Sequence, residues 1–266
     1  MTGAAVTVPG SAGDLGLRGA AIIVTGASSG IGAATAAQLG AAGASVVLVG
    51  RREEALTAQA DLVVQAGGHA LSIPADMAEP DSPALIADAC RERFGRIDGV
   101  VNNAAVVRHR PLRDWKADDF DQHVATNVRG PYFLIQAALP DLTASPIRSV
   151  VNISSSSGTM HLSGQSVYGM TKAALNYLTM SLAGELAPSG VRVNCIGPGP
   201  IDTPIHQTWA DDLEAAYRWL AEQVPLGRIG VADEVARWIT FLLSPLSAFM
   251  TGAVIPLDGG QVIHRA

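Results

Sequence analysis

The chain has 266 residues, 48% of them hydrophobic and 16% charged, a balance that suits one large folded domain and argues against disorder. With 18 basic and 24 acidic residues the formal net charge is −6, which excludes the electrostatic footprint of a protein built for nucleic acid or an anionic membrane. Two lysines occur, Lys116 and Lys172, and two cysteines, Cys90 and Cys195, lie outside any CxxC pair, as expected of a reduced cytoplasmic protein without a disulfide framework.

Residues 1–16 are small and polar, with neither the basic cluster nor the apolar run of a signal peptide, and read as a loose tail ahead of a domain at 17–266. The first strand is expected at Ala20 to Val24. It runs into a glycine turn, Thr25 to Gly32, and then an Ala-rich helix, Ile31 to Ala42. Strand and helix then alternate: Ser45 to Val49, Glu53 to Gln65, Ala70 to Pro74, Ser82 to Phe94 and Asp98 to Asn102. A strand at Ser149 to Ile153 precedes a long helix from about Tyr168 to Leu186, where Leu175, Leu178, Leu182 and Leu186 form one apolar stripe. Pro188 and Gly190 stop it. Strands follow at Val191 to Ile196 and Ala253 to Leu257, and between them the Pro-containing stretch Gly197 to Arg228 reads as a flap over a site, a lid at about 200–227. Strands apolar on both faces and alternating with helices predict an α/β fold: one Rossmann-type, doubly wound, seven-stranded parallel sheet. None of the apolar runs approaches the ~20 residues that cross a bilayer.

A glycine turn between a first strand and a helix is where a dinucleotide pyrophosphate meets a helix N-terminus, which makes Gly26, Ser28, Ser29, Gly30, Ile31 and Gly32 candidate cofactor contacts. The same residues also match GxSxG, the nucleophile elbow of serine hydrolases, with Ser28 at its centre. Such an elbow sits deep in its sheet behind an oxyanion loop, and no HGGG-like segment exists here. After the second strand an NAD site places an acid for the ribose 2′-OH. This chain has Gly50-Arg51-Arg52, whose guanidiniums suit a 2′-phosphate, so NADP(H) is favoured and NAD(H) stays open. The alternative is that the two arginines begin a solvated helix.

Tyr168 and Lys172, four apart on a helix, share one face. A phenol is a poor proton donor near neutrality; lowering its pKa by about three units takes ~4 kcal/mol, which one cation ~4 Å away at an effective dielectric of 20 supplies. The six histidines form no HxH or HxxxH pair, so no metal site is expected.

Taken together, these motifs resemble the short-chain dehydrogenase/reductase family, in family order from about Leu17 to Val262. TGASSGIG is similar to the family's cofactor turn, Asp76, followed by Met77, to the Asp that holds the adenine, and Asn102-Asn103-Ala104-Ala105 to the NNAG after strand four. The resemblance implies that Asn127 keeps a water next to the lysine, Ser155 hydrogen-bonds the substrate oxygen, Tyr168 is the general acid/base and Lys172 its activator. Pro198, Gly199, Ile201 and Thr203 look like the segment that holds the nicotinamide amide. PLGRIG and LDGG match closing segments. Ala105 departs from the family glycine, and Ser29 stands where many NADP-using relatives carry Lys or Arg. By the family's geometry Met160, Leu162, Val107 and Trp209 form an apolar pocket wall, ordinary packing being the alternative, and His161, in the loop between Ser155 and Tyr168, is either a solvated loop histidine or a substrate contact. The resemblance further implies a homotetramer or dimer through the helices near Phe120 and Tyr168. The expected activity is NAD(P)-dependent hydride transfer between a secondary alcohol and a ketone, as in a carbonyl reductase, an alcohol dehydrogenase or a 3-oxoacyl reductase. A dinucleotide sensor without catalysis is the alternative of a different kind.

Overall fold

The computed structural model describes residues 15–208, 210 and 212–263, so that most of the expected N-terminal tail lies outside the described residues. Its strands are β1 (Ala21–Thr25), β2 (Ser45–Gly50), β3 (His69–Pro74), β4 (Gly99–Asn102), β5 (Ser149–Ile153), β6 (Arg192–Pro198), the two-residue β7 (Ile201–Asp202) and β8 (Gly230–Val231), and β9 (Val254–Leu257). The helices are α1 (Gly30–Ala41), α2 (Glu53–Gln65), α3 (Ser82–Phe94), α4 (Ala117–Val124), α5 (Gly130–Ala144), α6 (Ser166–Leu186), α7 (Leu213–Glu222) and α8 (Ala232–Leu243). Seven strands form one parallel sheet in the order β3-β2-β1-β4-β5-β6-β9, while β7 pairs with β8 apart from it. The chain reverses direction across the sheet between β1 and β4, and the crevice beyond their C-terminal ends is where α/β sheets of this kind bind ligands.

The central strands β1 and β2 are apolar on both sides because each of their faces is covered. Ile22, Val24, Val46 and Leu48 pack with Leu39 of α1, Leu56 of α2 and Ile239 of α8. The alternate residues Ile23, Val47 and Val49 pack on the other face with Ile86 of α3, Leu134 of α5 and Leu182 of α6. Both cysteines are buried and unpaired. Among the described residues no helix is long and apolar enough to cross a membrane.

Two charged groups anchor the scaffold. Asp98 was expected to open the fourth strand; instead it stands just before β4, where its fully buried carboxylate accepts from the Ala21 N–H (2.8 Å), the Ser145 hydroxyl (2.5 Å) and Arg96 (2.6 Å). Arg192 is buried at the start of β6 and donates to the carbonyls of Leu242 and Ser247 and to the Ser247 hydroxyl, closing the C-terminal end of α8. Burial pushes its guanidinium down to about 10.

The stretch expected as an irregular flap contains α7. Asp212 caps it by accepting from the Ala215 N–H (3.0 Å), and Ala216 is its buried residue.

Candidate active site

Thr25 ends β1 and Gly26 turns the chain with φ +67°. Asn103, just past β4, donates from its side chain to the carbonyls of Thr25 (2.9 Å) and Gly26 (3.2 Å), and the backbone N–H groups of Asn103 and Ala104 donate to the Thr25 hydroxyl. The turn is packed backbone against backbone: a Cβ on Gly32 would stand 2.2 Å from the Gly26 carbonyl oxygen, and one on Gly26 2.8 Å from Asn103 Nδ2. Ala105 takes the place of a glycine without strain, since Arg148 is the residue other than glycine with positive φ among those described. The cleft left open beside this turn holds about 460 Å³ and is lined by Ser28 to Ile31, Arg51, Arg52, Asp76, Met77, Ala104 and Thr203 among others. A cradle of glycines at the start of α1, which carries no acidic residue in its first turn, fits the pyrophosphate of a dinucleotide.

Arg52 donates to both Ser28 Oγ and Ser29 Oγ, at 3.0 Å each. A guanidinium cannot serve as a base, so this contact gives the elbow reading of Ser28 nothing to activate a nucleophile. Arg51 lies 3.8 Å from the Asp76 carboxylate with 64% of its side chain exposed, a pair worth little in water that leaves the guanidinium available to a ligand. Asp76 also accepts from the Ala78 N–H (2.9 Å), which fixes the loop after β3. Thr203 closes over the turn, and a Cβ on Gly30 would meet its methyl at 3.0 Å. Gly199 answers a packing need, because a Cβ there would lie 2.8 Å from Asp258 Cα. Ile201 is buried in β7, and the flap is fastened by the Arg228–Glu234 pair (2.6 Å) and by Leu226 N–H donating to the Gly259 carbonyl (3.2 Å).

Outside the lining of this cleft, Ser155, Tyr168 and Lys172 are brought together because the chain after β5 delivers Ser155 and the first turns of α6 deliver the other two. Lys172 is 2% exposed; its ammonium donates to the Ile153 carbonyl (2.8 Å) and lies 5.5 Å from the centroid of the Tyr168 ring. Burial pushes it down to about 8, against a smaller opposing pull from Cys195. Burial also pushes the Tyr168 phenol up to about 12, opposed by its hydrogen bond with Ser155. Burial disfavours the charged form of each group, a direction opposite to the lowering of the phenol expected from its lysine, and the phenol keeps its proton at neutral pH.

Asn127 is 1% exposed and sits in a π-helical turn, Ala125–Arg129, between α4 and α5. Its amide accepts from Val106 N–H (2.8 Å) and donates to the Val106 carbonyl (3.0 Å) and the Thr171 hydroxyl (3.0 Å), tying the chain beyond β4 to α6. Pro131, four residues on, has no N–H to give the Asn127 carbonyl, a sequence signal for the irregular turn that the motif reading passed over.

Met160 and His161 line a second cavity of about 340 Å³, with Leu162, Ser166 and Met170, whose wall includes neither Ser155 nor Tyr168. Trp209 lies outside the described residues. Within the flap the buried His206 ring meets the Ile201 carbonyl (2.8 Å) and stacks edge-on with Tyr217, whose hydroxyl donates to Asp202 (2.7 Å). Ser157 continues from Ser155 as a hydrogen-bonded row through Gln165 and His109, two residues the motifs did not single out; Gln165, one helical turn before Tyr168, was the available signal. Among the described residues no cluster of His, Cys, Asp or Glu could hold a metal.

Residues 26–261 match a family model described as enoyl-(acyl carrier protein) reductase. The chain is 32% identical over 249 residues to a tropinone reductase homolog of Arabidopsis thaliana, covering 93% of this chain and 81% of that one. It is 35% identical over 253 residues to the oxidoreductase UcpA of Escherichia coli K12, covering 93% and 96%. Its fold is similar to a crystal structure of a short-chain type dehydrogenase/reductase from Mycobacterium marinum, with TM-score 0.87 and 33% identity over 93% of this chain and 97% of that one.

Proposed function

The chain belongs to the short-chain dehydrogenase/reductase family, and we propose that within it this protein is an NADP-dependent reductase of ketones. The observation that carries the reading is a hydroxyl, a protonated phenol and an ammonium brought together by the end of β5 and the start of α6, with Tyr168 and Lys172 buried; in the cleft, Arg51, Arg52, Ser28 and Ser29 are placed to take a 2′-phosphate. Gly26, Gly30, Ile31 and Gly32 would hold the pyrophosphate, Asp76 and Met77 the adenine, and Asn103, Ala104, Pro198, Gly199, Ile201 and Thr203 the nicotinamide half, with 200–227 as the lid. Bound NADPH supplies the hydride that the carbonyl carbon accepts.

Tyr168 then gives its proton to the carbonyl oxygen, Ser155 donates a hydrogen bond to the same oxygen, and Lys172 offsets the charge that develops on the phenol. Pushed up by burial, the phenol carries its proton at neutral pH, the form from which it can donate. Asn127, its side chain already engaged, would hold a water for Lys172 through a carbonyl deprived by Pro131 of its α-helical donor. A dinucleotide sensor has no need of a phenol, an ammonium and a hydroxyl converging in a buried site.

The exposed apolar faces of α5 and α6, with Tyr132, Phe133, Met170, Tyr177 and Met180, support assembly with further copies of the chain in the cytoplasm. The test is a panel of tropinone, cyclohexanone, ethyl acetoacetate and an enoyl thioester, each with NADPH and with NADH, followed by loss of reduced-nicotinamide absorbance. Ketone reduction with NADPH preferred is the expected result; enoyl reduction alone, or no turnover with any ketone, would overturn the reading.

A further inference from the structure

A row of side chains leads away from the reacting centre and joins three parts of the fold. Ser155 Oγ donates to Ser157 Oγ (3.2 Å), Ser157 Oγ donates to Gln165 Oε1 (2.6 Å), and Gln165 Nε2 meets His109 Nε2 (3.3 Å). Ser155 and Ser157 lie on the turn after β5, Gln165 stands at the residue just before α6, and His109 belongs to the segment after β4. Ser157 also gives its backbone N–H to Ser155 Oγ (3.2 Å).

We propose that Gln165 is a positioning residue that, through Ser157, holds the Ser155 hydroxyl as a hydrogen-bond donor toward the substrate oxygen. The proposal rests on the role given to Ser155 above. A hydroxyl has one proton to give. That of Ser157 is committed to Gln165 by the shortest bond of the row, so toward Ser155 the Ser157 oxygen can only accept. Ser155, whose own oxygen already takes the Ser157 N–H, is thereby kept as a donor. Without substrate the Ser155 proton rests on Ser157 Oγ through the longer, 3.2 Å bond; a carbonyl oxygen arriving at Tyr168 takes that bond over as negative charge grows on it, while the phenol gives its proton to the same oxygen. The amide is itself oriented: a neutral His109 ring accepts from Nε2 and leaves Oε1 for Ser157. Burial, reinforced by the neighbouring His206, lowers the His109 pKa and keeps the ring neutral. The row also ties the turn that carries Ser155 to the helix that carries Tyr168, so the distance between the two donors depends on it.

The experiment measures kcat and KM for the ketone reduced fastest in the panel, and KM for NADPH, in Gln165→Leu, Gln165→Glu, Ser157→Ala, the pair Gln165→Leu with Ser157→Ala, and Ser155→Ala. Expected is a fall in kcat of about tenfold in Gln165→Leu and in Ser157→Ala, no further fall in the pair, since one chain is broken in each, and an unchanged KM for NADPH. Gln165→Glu retains an oxygen acceptor for Ser157 and restores kcat to within about twofold of the parent. The inference is overturned if Gln165→Leu keeps the parental kcat while Ser155→Ala is crippled, if the two losses multiply in the pair, or if Gln165→Glu is no better than Gln165→Leu. Parental turnover by Ser155→Ala, or no turnover of any ketone by the unaltered protein, would instead overturn the reading on which the inference rests.

Discussion

Replacing Lys172 with Met should make the protein more stable and nearly inactive. The ammonium is 2% exposed, donates to the Ile153 carbonyl, and is pushed from 10.5 to about 8 by burial. The folded chain therefore holds this proton less tightly than the unfolded chain does. The charged form costs about 3 kcal/mol at pH 7, a cost fully present below about pH 8 and relieved as pH rises toward the unfolded value. Methionine fills a similar volume without the charge but leaves the Ile153 carbonyl unpaired, which returns about 1 kcal/mol. The net expectation is a gain of about 2 kcal/mol at pH 7 that shrinks to near zero by about pH 9.5. Urea unfolding of both proteins at matched concentration and several pH values checks it, while ketone reduction should fall at least a hundredfold. A variant less stable than its parent at pH 7, or a stability difference that does not change with pH, would refute the reasoning.

Replacing Arg51 and Arg52 together with Ala should raise KM for NADPH by about 10 to 100-fold and leave KM for NADH within about threefold, because only the 2′-phosphate loses its charged donors; equal losses for both cofactors would contradict that assignment. Gly32→Ala pushes a methyl to 2.2 Å from the Gly26 carbonyl oxygen, so the turn must open at a cost of about 1–3 kcal/mol. Thermal unfolding should come earlier, and cofactor binding by fluorescence titration should weaken at least tenfold.

The strands were legible because covering on both faces makes them largely apolar, and Val46 to Val49 shows it: alternate residues enter opposite cores. Their ends were less so. Asp98 looks like the start of a strand from its neighbours, yet its carboxylate is occupied with Ala21, Arg96 and Ser145. The helix α7 escaped notice although Leu213, Ala216, Tyr217 and Leu220 stand at helical spacing, because Pro204 and Pro225 on either side made the whole segment read as loop. The motifs located the turn and the trio because their spacings are local. What they could not convey was the balance of burial and charge: spacing alone suggested a phenol lowered by its lysine, whereas enclosure moves the two groups in opposite directions. The row through Ser157, Gln165 and His109 was equally hidden, because its members come from three segments that only the folded sheet brings together.

Changing Tyr168 to Phe removes a single hydroxyl from an otherwise unaltered pocket. Single-turnover reduction of the best ketone by this variant, with NADPH binding measured alongside, tests the central claim most directly. The account predicts parental cofactor affinity with reduction slowed by at least a hundredfold; reduction at the parental rate would contradict it.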